Sequence, residues 1–140
     1  MAMYPSQEWC DEWKKALNED TRIVETGKNW GVDFKGSVLF EITPGDGLQE
    51  TAYIYLEIPA GKCVDARTLV DSSDVDPGFS ISGSYTEFKP VVMGKVDFLQ
   101  SVVKGNIKLH GNMMTVMKNA KFIRAVANSI SSFESEYLNE

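Results

Sequence analysis

The sequence predicts an α+β chain, with half-buried antiparallel strands set between helical segments. Three segments alternate apolar and polar residues with a period of two, the mark of a strand with one face in water. Segments near both ends instead repeat apolar residues at helical spacing. Clusters of Pro, Gly and Asp separate the strands as turns.

Taken in order, the first helix is expected to start at Ser6, which follows Pro5 and can cap it, and to run to about residue 17. Trp9, Trp13, Ala16 and Leu17 fall at i, i+4, i+7 and i+8 and form one apolar face. Glu8, Asp11, Glu12, Lys14 and Lys15 fill much of the rest. A short helix follows over 20–26, stopped by Gly27. The first strand, 37–43, turns Val38, Phe40 and Ile42 one way, although Leu39 breaks the polar side. The second, 53–58, carries Ile54, Leu56 and Ile58 on one face. The third, 79–85, sets Phe79, Ile81, Gly83 and Tyr85 against Ser80, Ser82 and Ser84.

Beyond Tyr85 the period changes. Thr86 can cap a short helix that Gly94 ends. Asp97, with Gln100 three residues on, resembles a capping box for a second short helix ended by Gly105. Residues 106–110 carry Ile107 and Leu109 at period two and read as another strand. Asn112 then caps a last helix expected over 113–138, roughly 39 Å long at helical rise. Met113, Met117, Ala120, Ile123, Ala127, Ile130, Phe133 and Tyr137 trace its apolar stripe.

A chain of 140 residues fits one domain. The expected organisation is a single domain over 1–140, with a helical segment at 1–30 and the sheet, helical excursion and last helix over 31–140. Composition is that of an ordinary globular protein, 43% hydrophobic and 24% charged. The net charge of −6 argues against a nucleic-acid partner, which calls for a basic surface, and against a strongly electrostatic membrane anchor, leaving room only for a local basic patch. No apolar run is long enough to span a bilayer, so stable membrane insertion is not expected. Cys10 and Cys63 are too few for a disulfide framework and read as reduced thiols. The first residues lack a signal-like apolar stretch and the last four are Tyr-Leu-Asn-Glu, without a peroxisomal tripeptide. A cytoplasmic protein is expected.

Catalytic patterns are weak. His110 is the only histidine and ends a strand, which suits a surface or structural role better than a Cys–His nucleophile. One histidine and two isolated cysteines do not make a zinc site. Asp71, Asp74 and Asp76 fail the spacing of a calcium loop, since the twelfth position from Asp71 is Ser82 and from Asp74 is Tyr85. Glu41 and Glu57 lie on strand faces that read as partly solvated. No metal and no cofactor are expected.

The order of elements from Phe79 onward carries a resemblance. The strand Phe-Ser-Ile-Ser-Gly-Ser-Tyr runs into a short helix and Met93-Gly94-Lys95. A second short helix leads to Lys104-Gly105-Asn106-Ile107-Lys108-Leu109-His110-Gly111-Asn112, and a methionine-rich helix follows. This order, with a strand framed by Gly105 and Gly111, resembles the sterol carrier protein 2 family, and the chain from Gly36 fits that family's first strands. The resemblance implies a five-stranded, largely antiparallel sheet covered on one side by helices. It also implies an apolar tunnel closed by the C-terminal helix. The implied function is carriage of fatty acyl chains, sterol-like or isoprenoid molecules, with no catalysis. The implied partner is a lipid or fatty-acid ligand, and a stand-alone member of prokaryotic type fits.

Candidate tunnel residues are Trp30, Phe79, Ile81, Tyr85, Phe88, Val92, Phe98, Val102, Met113, Met114 and Met117. Methionine conforms to irregular neighbours, so the three methionines fit a tunnel wall as well as ordinary core. Trp30 fits a tunnel wall or a seal of the N-terminal helices onto the sheet. A charged residue at Met117 is expected to abolish binding. Competing readings are an accessory subunit that shelters an enzyme's hydrophobic intermediate, a homodimer seated on the apolar stripe, and a small enzyme using Glu41 or Glu57.

Overall fold

A computed structural model describes residues 2–139. Strand β1 is Ala2–Tyr4. Ser6 then caps α1, Gln7–Glu19, by accepting from the Trp9 N–H at 3.1 Å. Asp20 caps α2, Thr21–Thr26, and Gly27 closes it by donating to the Ile23 carbonyl. A β-carbon on Gly27 would sit 2.5 Å from the Phe122 ring, so the glycine lets α2 approach the C-terminal helices.

Five strands form the main sheet: β2 (Val38–Thr43), β3 (Ala52–Glu57), β4 (Asp65–Leu69), β5 (Phe79–Ser84) and β6 (Lys108–His110). Their spatial order is β4-β3-β2-β5-β6. Three ladders are antiparallel and the central β2–β5 ladder is parallel, which makes the sheet mixed. Strand β4 has no counterpart in the period-two reading. Its sequence Asp-Ala-Arg-Thr-Leu is charged and polar because it lies at the sheet edge, where such residues block further pairing.

The register fixes the sheet's inner face. Ile54, Phe40, Ile81 and Leu109 form one row across four strands, and Leu56, Val38 and Phe79 form the next. Helices α3 (Tyr85–Val92) and α4 (Phe98–Val103) follow from β5. Ser84 caps α3, not Thr86, because its hydroxyl reaches the Glu87 N–H at 3.2 Å directly off the strand. Asp97 caps α4 through the Gln100 N–H as the sequence suggests.

The expected 113–138 helix is replaced by several elements. Asn112 caps α5, Met113–Lys118, and α6 runs Ala120–Asn128. Between them Asn119 donates its side-chain amide to the Thr115 carbonyl at 2.8 Å, competing with the backbone as Asn does at helix breaks. A 3-10 turn, Ser129–Ser132, ends α6, and the Ser129 and Ser132 hydroxyls both donate to backbone carbonyls there. The chain then extends into β7, Ser135–Tyr137, which pairs parallel with β1.

This strap between the two ends of the chain is bonded to the core by Tyr85. Its hydroxyl accepts from the Leu138 N–H at 2.8 Å and donates to the Tyr4 carbonyl at 3.3 Å. Tyr85→Phe removes both bonds and leaves buried backbone groups unpaired. A urea titration should show the unfolding free energy reduced by about 1–3 kcal/mol.

Candidate functional site

An internal cavity of about 100 Å³ lies between the sheet's inner face and the helices. The sheet supplies Val38, Phe40, Ile54, Leu56, Phe79, Ile81 and Leu109. Helix α3 supplies Phe88, Val91 and Val92, and α4 supplies Phe98. Val116 of α5 and Phe122, Ile123, Val126 and Ala127 of α6 complete the roof, with Ile130 beyond it.

Aromatic groups bound the cavity in two clusters. Tyr4 meets Trp9 edge-on at 4.8 Å, Trp9 lies 5.2 Å from Trp13, and Trp13 meets Phe40 edge-on at 5.8 Å. In the second cluster Trp30 stacks on Phe79 at 5.3 Å and lies 5.3 Å from Phe122. Gly111 serves this cluster. At φ +144, with the Phe79 ring 2.4 Å from where a β-carbon would stand, only glycine fits. The glycine that ends the Gly105–Gly111 strand therefore positions an aromatic wall.

The lining offers a ligand apolar surface and no charge. Each tryptophan that borders it donates its indole N–H to a protein acceptor: Trp9 to the Ser135 hydroxyl at 2.8 Å, Trp13 to the Ser129 hydroxyl at 3.0 Å, Trp30 to the Gly36 carbonyl at 2.9 Å. The rings face inward with their polar handles already satisfied. Among the described residues no buried side-chain polar atom lacks a partner. Burial pushes the Tyr4 hydroxyl well above the usual tyrosine value, which keeps it neutral.

Six of the sequence-derived candidates come together here: Trp30, Phe79, Ile81, Phe88, Val92 and Phe98. The other five lie elsewhere. Tyr85 is buried but belongs to the terminal strap. Val102 is half-buried on α4, outside the lining. Met113, Met114 and Met117 are 40, 70 and 56% exposed. The break at Asn119 separates the predicted stripe into two faces, so α5 turns Val116 inward and its methionines outward. A charge at Met117 would point into water, which removes the reason to expect lost binding. The sequence reading missed Trp9, Trp13, Phe122, Ile123 and Val126, although their i, i+4 and 3.6-period spacing was visible. It also missed Tyr4, for which β1 gave no pattern.

The alternative chemistries find little support in the geometry. His110 is exposed on the outer sheet face, and both cysteines are buried. Glu41 pairs across the ladder with Tyr53 while Glu57 lies four residues along, roughly 13 Å away at strand rise. The Glu57 carboxylate accepts from the Tyr55 hydroxyl. Asp71 accepts from the Ser73 N–H in a turn and Asp76 pairs with Lys35 at 2.7 Å. Among the described residues no group of three or more His, Cys, Asp or Glu side chains is placed to hold a metal ion. Among the same residues no helix is long and apolar enough to cross a membrane.

The model of the SCP-2 sterol transfer family matches residues 23–124, from α2 into α6. The chain belongs to this family. Membership implies a module that binds and transfers lipid. The fold is similar to a crystal structure of sterol carrier protein 2, with TM-score 0.81 at 17% identity over 92% of this chain and 98% of that one. It is equally similar to a conserved hypothetical protein of Thermus thermophilus, a suggested sterol carrier protein, with TM-score 0.80 at 15% identity over the whole of both chains. A UbiJ-SCP2 ubiquinone synthesis protein matches with TM-score 0.50 at 9% identity over 89% of this chain and 88% of that one. No curated protein sequence matches significantly.

Burial pushes the Cys10 thiol up to about 12 and the Cys63 thiol up to about 11. Both stay neutral in the folded SCP-2 module at pH 8 and should resist alkylation until denaturant is added, as counted by mass spectrometry. The folded values lie above the unfolded value of about 8.5, so this stabilisation is complete below that pH and is lost as pH rises toward the folded values. Urea midpoints should therefore fall above about pH 8.5.

Proposed function

We propose that the protein binds and carries apolar lipids in this cavity: fatty acyl chains, sterol-like or isoprenoid molecules. The observation that carries the reading is the lining itself, wholly apolar in character with every bordering indole N–H already committed to protein. Such a wall selects by removal of apolar surface from water. A ligand losing about 400 Å² gains roughly 10 kcal/mol. After the cost of association, affinity on the order of micromolar remains.

The present volume of about 100 Å³ sets a condition on this reading. A dry apolar cavity of about 150 Å³ accepts benzene. A long acyl chain needs more, so its uptake requires the roof to move away from the sheet. Helices α5 and α6, joined by the one-residue break at Asn119, form that roof. No bond-making step is part of the reading, since the lining holds neither an acid–base pair nor a nucleophile.

A second reading has one observation in its favour. The fold likeness to a ubiquinone synthesis protein suits an accessory subunit that shelters a hydrophobic intermediate for a separate enzyme. The binding chemistry is the same in both readings, and only the recipient differs.

Native mass spectrometry of the purified protein, with solvent extraction, tests the binding. A lipid near one per chain is expected, and an unchanged apo mass after incubation with fatty acids and sterols overturns the reading. Ala127 borders the cavity on α6 and is small. Ala127→Phe fills the space and should weaken fatty-acid binding at least about tenfold while thermal stability holds or rises. Unaltered affinity in that variant would place the ligand elsewhere.

A further inference from the structure

The cavity has a neighbour at the surface. A pocket of about 190 Å³ opens where the turn between α3 and α4 meets the end of α6. Val91, Phe98 and Ala127 line both this pocket and the cavity. Val91 lies in the last turn of α3, Phe98 begins α4, and Ala127 lies in the last turn of α6. Three helix ends therefore meet at one apolar partition, with the cavity behind it and water in front. The larger polar pocket at the junction of α1 and α2, bordered by Glu12, Glu19 and Asp20, shares no lining residue with the cavity.

The outer side of the partition is polar. Lys95, Asp97, Asn128 and Ser131 stand around it, all of them exposed. The turn that carries Lys95 is pinned by its backbone. The Gly94 N–H donates to the Val91 carbonyl at 3.0 Å and the Lys95 N–H to the Pro90 carbonyl at 2.9 Å. Gly94 has φ +78, and a β-carbon there would stand 3.3 Å from the Ser131 hydroxyl, so the turn lies close against the segment after α6. Asp97 is already engaged: one carboxylate oxygen accepts from the Gln100 N–H at 3.1 Å and the other pairs with Arg124 at 3.5 Å. Among the described residues, the side chains of Lys95, Asn128 and Ser131 enter no ion pair or hydrogen bond. With Asp97 balanced by Arg124, Lys95 leaves the rim one positive charge in excess, on a chain of net charge −6.

An ionised head group is costly to carry among apolar side chains. A ligand with one anionic end therefore keeps its chain inside and its head at a polar edge in contact with water. We propose that this pocket is the mouth of the cavity and that Lys95 holds the carboxylate of an ionised fatty acid there. The Asn128 amide and the Ser131 hydroxyl supply further donors around the same spot. A charged donor makes the stronger hydrogen bond to a carboxylate, so the site selects the acid over a neutral alcohol of equal chain length. The inference rests on the lipid-carrier reading and names the end of the ligand that the apolar lining does not recognise.

The delipidated full chain is titrated by calorimetry with dodecanoate and with 1-dodecanol, at a pH where the carboxylate is ionised. Lys95→Gln should raise the dodecanoate Kd about fivefold, as expected for a solvent-exposed ion pair. Lys95→Glu should raise it further by repulsion, and Lys95→Arg should restore it. The loss caused by Lys95→Gln should shrink at high salt. The dodecanol Kd should stay the same throughout, which a merely structural role for Lys95 would not produce. Ser131→Trp adds bulk at the mouth and should slow the association of both ligands in stopped-flow. If the wild type binds both ligands and the Lys95 variants weaken neither, or weaken both equally, the head site is overturned while the carrier reading stands. Unchanged association rates in Ser131→Trp overturn the mouth. If the wild type binds neither ligand, the carrier reading falls and the head site falls with it.

Discussion

Three indole N–H groups decide what the interior of this protein can be. A tryptophan is large enough to shape a cavity and carries one donor that must find an acceptor when buried. Trp9 and Trp13 use serines of the C-terminal segment, and Trp30 uses the Gly36 carbonyl. These bonds fix the rings as walls and leave no unpaired indole donor at the cavity's edge. The first two also join α1 to residues more than a hundred positions away, so the same bonds that shape the cavity hold the helical layer on the sheet. Were those donors unpaired, the interior would favour water or a polar ligand.

Much of the architecture was legible because burial leaves a period in the sequence. Strands β2, β3 and β5 are buried on one face, and their alternation located them. The caps at Ser6, Asp97 and Asn112 were readable because a short oxygen-bearing side chain just ahead of an apolar run has a specific job. Edge strand β4 was not, since its charged residues serve to prevent pairing rather than to pack. The long terminal helix failed for a local reason. Its apolar spacing is real, but Asn119 and the run Asn128-Ser129-Ile130-Ser131-Ser132 compete for backbone hydrogen bonds, and periodicity cannot register that competition.

The cavity was legible in part for the same cause. Phe79, Ile81, Phe88 and Phe98 are apolar residues on elements whose faces could be assigned. The methionines of α5 were misplaced because a stripe continuous on a helical wheel was assigned to one face of one helix. With the helix broken, Val116 takes the inward position and the methionines turn to solvent. Family resemblance led to the expectation of an interior site but carried no sign of the helix break at Asn119 that turns Val116 inward.

The strap of β1 with β7 pairs residues 2–4 with 135–137. Contacts so distant along the chain carry the largest loop-closure entropy in the molecule and are slow to form. Both strands are three residues long, so little local propensity hastens them. The sheet and its hairpins can assemble while the inner face is still uncovered, and the serines that receive the Trp9 and Trp13 donors arrive with the final segment. In folding order the interior is therefore sealed late, and under strain the strap is a natural place for opening to begin, so its ladder amides would exchange ahead of those of the central β2–β5 ladder.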